Sequence, residues 1–319
     1  MAGSQVRSIV GAVAALFFVF GLQGALASSA DEYVLEADQF LASGEVKSAI
    51  IQLKNALQTD PSHVEARVKL GAIYLRTGDG PAAAKEFGRA RELGAAKDKW
   101  LPGYARALLL QGEFDAILRE VEVDDSLPTT QRAELLALRG NANLAKRQID
   151  AAISDYDAAL ALDTGSVVAR LGKAQILLTR GESEQALNEL NQVLLDHPGH
   201  VESRLARGDL LRRMQRLGDA ETDYARAAKE APQNARAHIG LAMVHVGQRD
   251  VSAAKQDLAT LKQLAPNLPA VNYLQALVSF QDGDYERASD ELQTLLRVAP
   301  GNLQAQLLYG IVSYARKEF

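Results

Sequence analysis

The chain has 319 residues, enough to bury one large core or several, and a formal charge of −5 with no basic block, which argues against a protein that tracks a phosphate backbone. It contains no cysteine, so disulfides, thiolate metal sites and thiol nucleophiles are excluded together. Apolar residues make up 47% of the chain but aromatics only 6%; Ala and Leu dominate and Val, Ile and Thr form no alternating runs, which points to helices and away from sheet.

The first feature met along the chain is an apolar stretch over 9–20, preceded by Arg7 and followed by Gly24, Ala25, Leu26 and Ala27, a small-x-small pattern. This arrangement predicts an export leader, residues 1–27, cleaved after Ala27. The rival reading is an uncleaved membrane anchor, although 9–22 is shorter than the roughly 20 residues a spanning helix needs. No later stretch is long and apolar enough to cross a bilayer.

Beyond the leader the sequence repeats. Ala49 and Ala83 are 34 residues apart, and the same step links Ala152, Ala186, Ala220, Ala254 and Ala288. The gap between Ala83 and Ala152 holds two steps and one extra residue, with Ile117 at the intermediate position. Pro198, Pro232, Pro266 and Pro300 keep the same 34-residue step, as do Gly44, Gly78 and Gly112. Three residue types therefore share one period and one single-residue insertion, placed between Gly112 and Arg147.

Each position has a mechanical reason. Ala37, Gly71, Ala105, Gly140, Ala174, Gly208, Ala242 and Ala276 are small, so that two helices of one unit can approach closely. Larger side chains at Leu53, Phe87, Val121, Tyr156, Leu190, Tyr224, Leu258 and Leu292 fill the space between them. Proline closes the second helix of a unit, because it has no N–H and disfavours helix in the residue before it. After Pro61, Ser62-His-Val-Glu65 reads as a capping box.

Eight two-helix units are expected over 28–302, and a ninth opens at Leu303. Leu307, Leu308, Ile311 and Tyr314 supply the apolar face of its first helix, and the chain stops at Phe319 where a second helix would begin; the expectation is a truncated product whose full polypeptide continues in further repeats. In the third unit Glu120-Val-Glu-Val-Asp-Asp125 and Leu127-Pro128 break the pattern, which predicts a short or bent second helix and a change of pitch.

A 34-residue period with this punctuation resembles the tetratricopeptide superfamily over nearly all of the chain after the leader. The resemblance implies an all-α, right-handed superhelical solenoid of about eight and a half helix pairs. The superfamily's first-helix Trp is replaced here by Tyr33, Arg67, Leu101, Leu136, Arg170, Arg204, His238 and Asn272. A narrower resemblance rests on Ser48-Ala-Ile-Ile-Gln-Leu-Lys-Asn-Ala-Leu57, on Ala105-Arg-Ala-Leu-Leu-Leu-Gln-Gly-Glu-Phe114, and on Tyr273-Leu-Gln-Ala-Leu277 with Gly283-Asp-Tyr-Glu286. These strings are similar to the long repeat protein of the PEP-CTERM/exosortase system, found in exopolysaccharide loci of Gram-negative bacteria. The cleaved leader predicts a periplasmic location, with an N-terminal inner-membrane anchor as the alternative. Lipidation, frequent in that family, needs a lipobox Cys that this chain lacks.

The superfamily resemblance also implies that the first helix of each unit lines a concave groove. Carried onto this chain, the groove positions give the polar residues Arg76, Arg106, Asn141, Gln175, Asp209, Arg212 and Arg213. Among the apolar ones are Val68, Leu75, Leu109, Leu144, Leu171, Leu178, Leu205, Ile239, Met243, Tyr273 and Phe280. Arg, amides and apolar surface together suit an extended peptide or a helix, with Arg forking a carboxylate; the plain alternative for each residue is a solvated helix position. The two-carboxylate clamp of chaperone-binding relatives is not reproduced.

Other motifs read as structure. His238 and His245 lie two turns apart on one helix and His197 and His200 within one turn, but neither pair has an evident third ligand for zinc, so packed neutral histidines are expected and no metal. Gly78-Asp-Gly80-Pro81 lacks the Lys and Ser/Thr of a phosphate loop and reads as a turn. The acidic run over 120–125 lacks calcium-loop spacing. No nucleophile pattern occurs, so neither enzyme nor cofactor is expected. Two functions stay open: a periplasmic scaffold that holds protein or peptide segments in exopolysaccharide machinery, and an accessory subunit that regulates a periplasmic glycan- or peptidoglycan-handling enzyme.

Overall fold

The computed structural model describes residues 29–266 and 268–317; the expected leader and its cleavage point at Ala27 lie outside them. The described residues form seventeen α-helices and no strand, in two compact units that meet between Gly112 and Glu113.

The first unit contains α1 (Ala30–Ala42), α2 (Val46–Thr59), α3 (Val64–Arg76), α4 (Gly80–Glu92) and α5 (Lys97–Gln111). Each helix packs on the next in sequence, and α3 also touches α5. The second unit opens with α6 (Phe114–Glu120). Five helix pairs follow: α7 (Thr129–Ala145) and α8 (Ile149–Leu162), α9 (Val167–Thr179) and α10 (Ser183–Asp196), α11 (Val201–Arg213) and α12 (Leu217–Glu230), α13 (Ala235–Gln248) and α14 (Val251–Leu264), α15 (Pro269–Gln281) and α16 (Tyr285–Val298). It closes with α17 (Leu303–Ala315).

The starts of these helices are written in short polar side chains. Ser29 Oγ accepts from the Glu32 amide at 3.2 Å while Glu32 Oε2 accepts from the Ser29 amide at 2.9 Å, a reciprocal cap on α1. Asp79, Asp250, Asp284 and Asn302 each accept one amide in the first turn of α4, α14, α16 and α17. The capping box expected from Ser62 to Glu65 does not form. The turn after α2 closes with the His63 amide donating to the Asp60 carbonyl at 3.2 Å, so α3 starts at Val64 and His63 is its cap. Its Nδ1 accepts from the Ala66 amide at 3.2 Å. Ser62 turns to Asp60 instead, its Oγ donating to Oδ1 at 2.6 Å.

The turn inside each pair uses one left-handed residue. Gly44, Gly78, Gly112, Gly181 and Gly283 have φ between 73° and 83°, and Arg147, Gln215, Arg249 and Lys317 take φ between 59° and 63° at the same place in the period. At this position the chain reverses with two backbone bonds, as where Gln215 N donates to Arg212 O at 3.1 Å and Arg216 N donates to Leu211 O at 2.9 Å. Glycine suits the conformation but is not required by the fold.

Packing between pairs follows the small-to-large rule. The alanines of the 49, 83, 152, 186, 220, 254 and 288 series are fully buried, as are Leu53, Tyr156, Tyr224 and Leu292. Where the large residue is a ring, glycine faces it on both sides. A Cβ added at Gly140 or Gly172 would stand 2.5 or 2.2 Å from the Tyr156 ring, and one at Gly71 or Gly103 would stand 3.0 or 2.3 Å from Phe87. The irregular segment after α6 behaves as expected: the helix ends after 7 residues at Glu120. Val121 and Leu127 are still buried, while most of the intervening carboxylates face solvent.

Candidate functional site

In the second unit the first helices of successive pairs touch directly: α7 with α9, α11 with α13, α13 with α15 and α15 with α17. Contacts of comparable extent between second helices are absent among the described residues. Except between α9 and α11, the first helices therefore crowd together along the inner side of this stack. In the first unit α3 and α5 touch in the same way.

In the first unit, Arg76 is exposed at the end of α3 and Arg106 is exposed within α5. In the second unit Gln175 and Arg213 are exposed, while Asn141, Asp209, Arg212, Met243 and Tyr273 are half-buried. Two of these residues hold the scaffold together. The Tyr156 hydroxyl donates to Asn141 Oδ1 at 2.8 Å, and the Tyr224 hydroxyl donates to Asp209 Oδ1 at 2.6 Å. Burial raises the pKa of both phenols, so each stays a protonated donor. Asp209 also accepts from Arg236 of α13 at 2.5 Å, and the other guanidinium nitrogen of Arg236 reaches Glu202 at 3.1 Å. Arg212 and Arg213 have no carboxylate partner among the described residues; Arg212 lies on the Tyr224 hydroxyl, and its Nε is buried without a hydrogen bond.

The inner positions change character along the unit. They are polar on α11 (Asp209, Arg212, Arg213) and apolar on α13 (Ile239, Met243), α15 (Tyr273, Leu277, Phe280) and α17 (Leu307, Ile311, Tyr314). Leu307 is 69% exposed, whereas its counterparts on α15 and α13 are half-buried.

Two periodic polar devices escaped the sequence reading. The first stands where the superfamily Trp is missing. Arg67 donates twice to the Pro61 carbonyl, at 3.1 and 2.6 Å, and to Glu86 of α4 at 2.8 Å. Arg170 repeats this on the Thr164 carbonyl and Glu189, and Arg204 donates to the Pro198 carbonyl. His238 Nε2 lies 3.1 Å from the Pro232 carbonyl and Gln306 donates to the Pro300 carbonyl at 2.6 Å. In every case a side chain fastens the carbonyl six residues before it, tying the turn between pairs to the helix that follows.

The second device is a row of carboxylates directly before the large position of six of the second helices: Glu86, Asp155, Glu189, Asp223, Asp257 and Glu291. All are mostly buried, and each has a partner on the preceding first helix. Asp223 is forked by Arg207 at 2.7 and 2.6 Å, Asp155 accepts from Asn143 at 2.8 Å, Asp257 faces His245 Nδ1 at 2.6 Å, and Glu291 accepts from Ser279 at 2.9 Å. Burial pushes Asp155 and Asp257 above the usual carboxylate range, outweighing the nearby Arg139 and His245. The signal was present in the sequence as an acidic residue recurring at the 34-residue step.

The histidines serve this framework. His200 caps α11 by accepting from the Ser203 amide, His197 Nε2 faces the Gly165 carbonyl, and His245 sits between Asp257 and, at 3.6 Å, Glu221. Among the described residues no group of three metal-ligating side chains converges, and no helix is long and apolar enough to cross a membrane. Clefts of about 230 and 240 Å³ recur two repeats apart, one over Lys255, Ala259 and Gln275 and the other over Leu187, Asn191 and Arg207. They fall below the 300–1,000 Å³ or so of an ordinary small-molecule pocket. The extended inner face is the better candidate.

Tetratricopeptide repeat models match residues 40–100 and 143–209 and, in a second version, 205–269 and 273–319. The chain belongs to the tetratricopeptide repeat family. It is similar to Cellulose synthase 1 operon protein C of Komagataeibacter xylinus, 25% identical over 229 residues, which is 67% of this chain and 17% of that protein. It is also similar to DnaJ homolog subfamily C member 3 of Rattus norvegicus, 33% identical over 93 residues, 29% of this chain and 18% of that one. Either match spans less than a fifth of the relative's length.

Two solved structures share the fold. One is a tetratricopeptide repeat protein from Parabacteroides merdae, with TM-score 0.56 and 21% identity over 78% of this chain and 98% of that one. The other is pilF of Pseudomonas aeruginosa, with TM-score 0.51 and 16% identity over 79% and 98%. As a tetratricopeptide stack the chain is a protein-interaction scaffold.

Proposed function

We propose that this tetratricopeptide chain is an exported scaffold that holds protein segments on its inner face within machinery that builds or exports an exopolysaccharide, of the PEP-CTERM/exosortase kind. The observation that carries the binding role is the inner surface of the second unit, where first helices abut and Arg213 lacks a carboxylate. The pathway is supported by the likeness to Cellulose synthase 1 operon protein C, which extends over two thirds of this chain. Export is supported by Arg7, the apolar run after it and the Ala25-Leu-Ala27 pattern.

The test is site-specific photocrosslinking in the native host, with the reactive group placed at Gln175 or Met243 on the inner face and at exposed Leu195 of α10 as the outer control. The reading expects inner-face crosslinks to a polysaccharide-synthesis or export component, and a mature chain whose mass begins at Ser28. Crosslinks to that machinery only from Leu195 would remove the inner face as the binding surface. An intact N-terminus on a chain retained in the cytoplasm would remove the export reading.

A further inference from the structure

Helices α3 and α11 start on an imidazole. The Ser203 amide donates to His200 Nδ1 at 3.1 Å and the Ala66 amide to His63 Nδ1 at 3.2 Å, whereas Asn234 and Asn302 cap α13 and α17 with an amide oxygen at 3.0 Å. A ring nitrogen that accepts an N–H carries no proton, so both caps require a neutral imidazole with its hydrogen on Nε2. An Asn cap has no such condition.

The same two helices stand at the loosest joints. Within the units α3 touches α5, α7 touches α9, α11 touches α13, α13 touches α15 and α15 touches α17. Contact of that extent is missing between α1 and α3 and between α9 and α11. At the second of these joints Ser203 is fully buried and its hydroxyl has no hydrogen-bond partner. No spare acceptor therefore lies within reach of this turn, and a Ser203 amide that lost His200 recovers a partner only by opening to water.

The charges around the two rings differ. His63 Nε2 lies 2.8 Å from Asp31 of α1, Asp60 stands in the turn before it, and Glu65 and Arg67 follow on α3. Four periods and one residue later, Val168 of α9 replaces Asp31 and His197 replaces Asp60. His200 makes no ion pair among the described residues. Around it Asp196 ends α10, His197 faces the Gly165 carbonyl, Glu202 is held by Arg236 of α13 and Arg204 by Glu230 of α12. A proton on His63 is thus met by a carboxylate, and one on His200 is not. It also places a cation at a helix N-terminus, where positive charge is disfavoured.

We propose that the joint between α10 and α11 is a proton-operated hinge, held shut by neutral His200 and released when a proton on Nδ1 removes the cap of α11. With α9 and α11 already apart, loss of the capped turn frees the two pairs to move against each other. The cap is present above the ordinary imidazole value of about 6.5 and is lost as pH falls below it. The inference holds whatever the inner face binds.

Because the chain has no cysteine, spin labels can be placed singly on the full protein. Leu195, Lys229 and Gln263 are exposed and one period apart on α10, α12 and α14. Leu195→Cys with Lys229→Cys spans the His200 joint, and Lys229→Cys with Gln263→Cys spans the Asn234 joint as the control. Double electron-electron resonance reads both distances between about pH 8 and 5. The 195–229 distribution is expected to broaden in acid while 229–263 keeps its width. Amide exchange at Ser203, corrected for its intrinsic pH dependence, is expected to speed up several-fold more than at Arg236.

His200→Asn, which supplies the kind of cap found at Asn234, abolishes the acid response. His200→Ala is loose at both ends of the range, and His63→Asn leaves the 195–229 response intact. Broadening shared by both joints, or a response that survives His200→Asn, overturns the proposal. So does a parent chain whose 195–229 distance and Ser203 amide are unchanged in acid.

Discussion

A methyl group placed on Gly240 would stand 2.3 Å from the Tyr224 ring, and one placed on Gly208 would stand 3.0 Å from it. The ring of α12 is thus wedged between the glycines of the first helices on either side. Gly240→Ala forces a ring or helix shift and is expected to lower unfolding free energy by about 1–3 kcal/mol, with a smaller effect for Gly208→Ala. Adding Tyr224→Leu to Gly240→Ala makes room for the methyl and restores most of the loss, since one period earlier Leu190 and Ala206 stand at the places of Tyr224 and Gly240 in the same core. Urea unfolding of the two single variants and the double variant measures the coupling. Simple additivity would show that the ring and the glycine are not partners.

The left-handed turn residues give an opposite pair of expectations. Gln215 at φ 61° pays for a conformation that Gly181 adopts freely at φ 79°. Gln215→Gly is expected to raise stability by about 0.5–1 kcal/mol, and Gly181→Ala to lower it by about 1–2 kcal/mol. Thermal melts of both variants check the pair, and a destabilising Gln215→Gly would mean that the side chain makes a contribution larger than the strain.

Arg67→Ala removes three hydrogen bonds and leaves Glu86 mostly buried without its cation. A loss of about 2–4 kcal/mol is expected, in the range for breaking a buried pair from one side. Glu86→Gln in the same chain recovers part of it, because the uncompensated charge is gone. A double variant no better than Arg67→Ala alone would place the whole effect in the bonds to the Pro61 carbonyl.

Burial raises the Asp155 pKa in the folded chain. The folded state then binds this proton more tightly than the unfolded state does, so the associated stability is present in acid and is lost as pH rises through the raised value. Asp155→Asn keeps an acceptor for the Asn143 amide and removes the buried charge. It is expected to raise the melting midpoint at neutral pH, with the advantage over the parent shrinking as pH falls towards about 4, the ordinary aspartate value. Melts across that range test the sign, and an advantage that grows in acid would reverse the assignment.

Much of the fold was legible because repetition averages out local ambiguity. Alanine, proline and glycine each marked a mechanical need at one step, so Ala49 and its counterparts could be placed in helix contacts before any coordinates. The remaining misses have physical causes. Arg147, Gln215, Arg249 and Lys317 give no hint of left-handed backbone by residue type, since the turn geometry is imposed by the packed helices around them. Ser62 looked like a cap, but the turn closing on Asp60 moved the helix start to Val64 and handed the role to His63. The buried acid row keeps a constant position, yet its partners come from different places on the facing helix: Arg67 for Glu86, Asn143 for Asp155, Arg207 for Asp223.

The sequence by itself determined the period, the alternation of small and large contacts and the class of fold, because these follow from side-chain volume and backbone chemistry at fixed spacing. Only the tertiary structure decided which inner residues are spoken for. Asn141 and Asp209 were candidates for a partner until the Tyr156 and Tyr224 hydroxyls were seen to hold them. Arg236, from the next helix in the stack, holds both Glu202 and Asp209, and Arg212 lies on the Tyr224 hydroxyl. Charge balance on a folded surface depends on neighbours far apart in the chain, and a linear order of residues does not contain it.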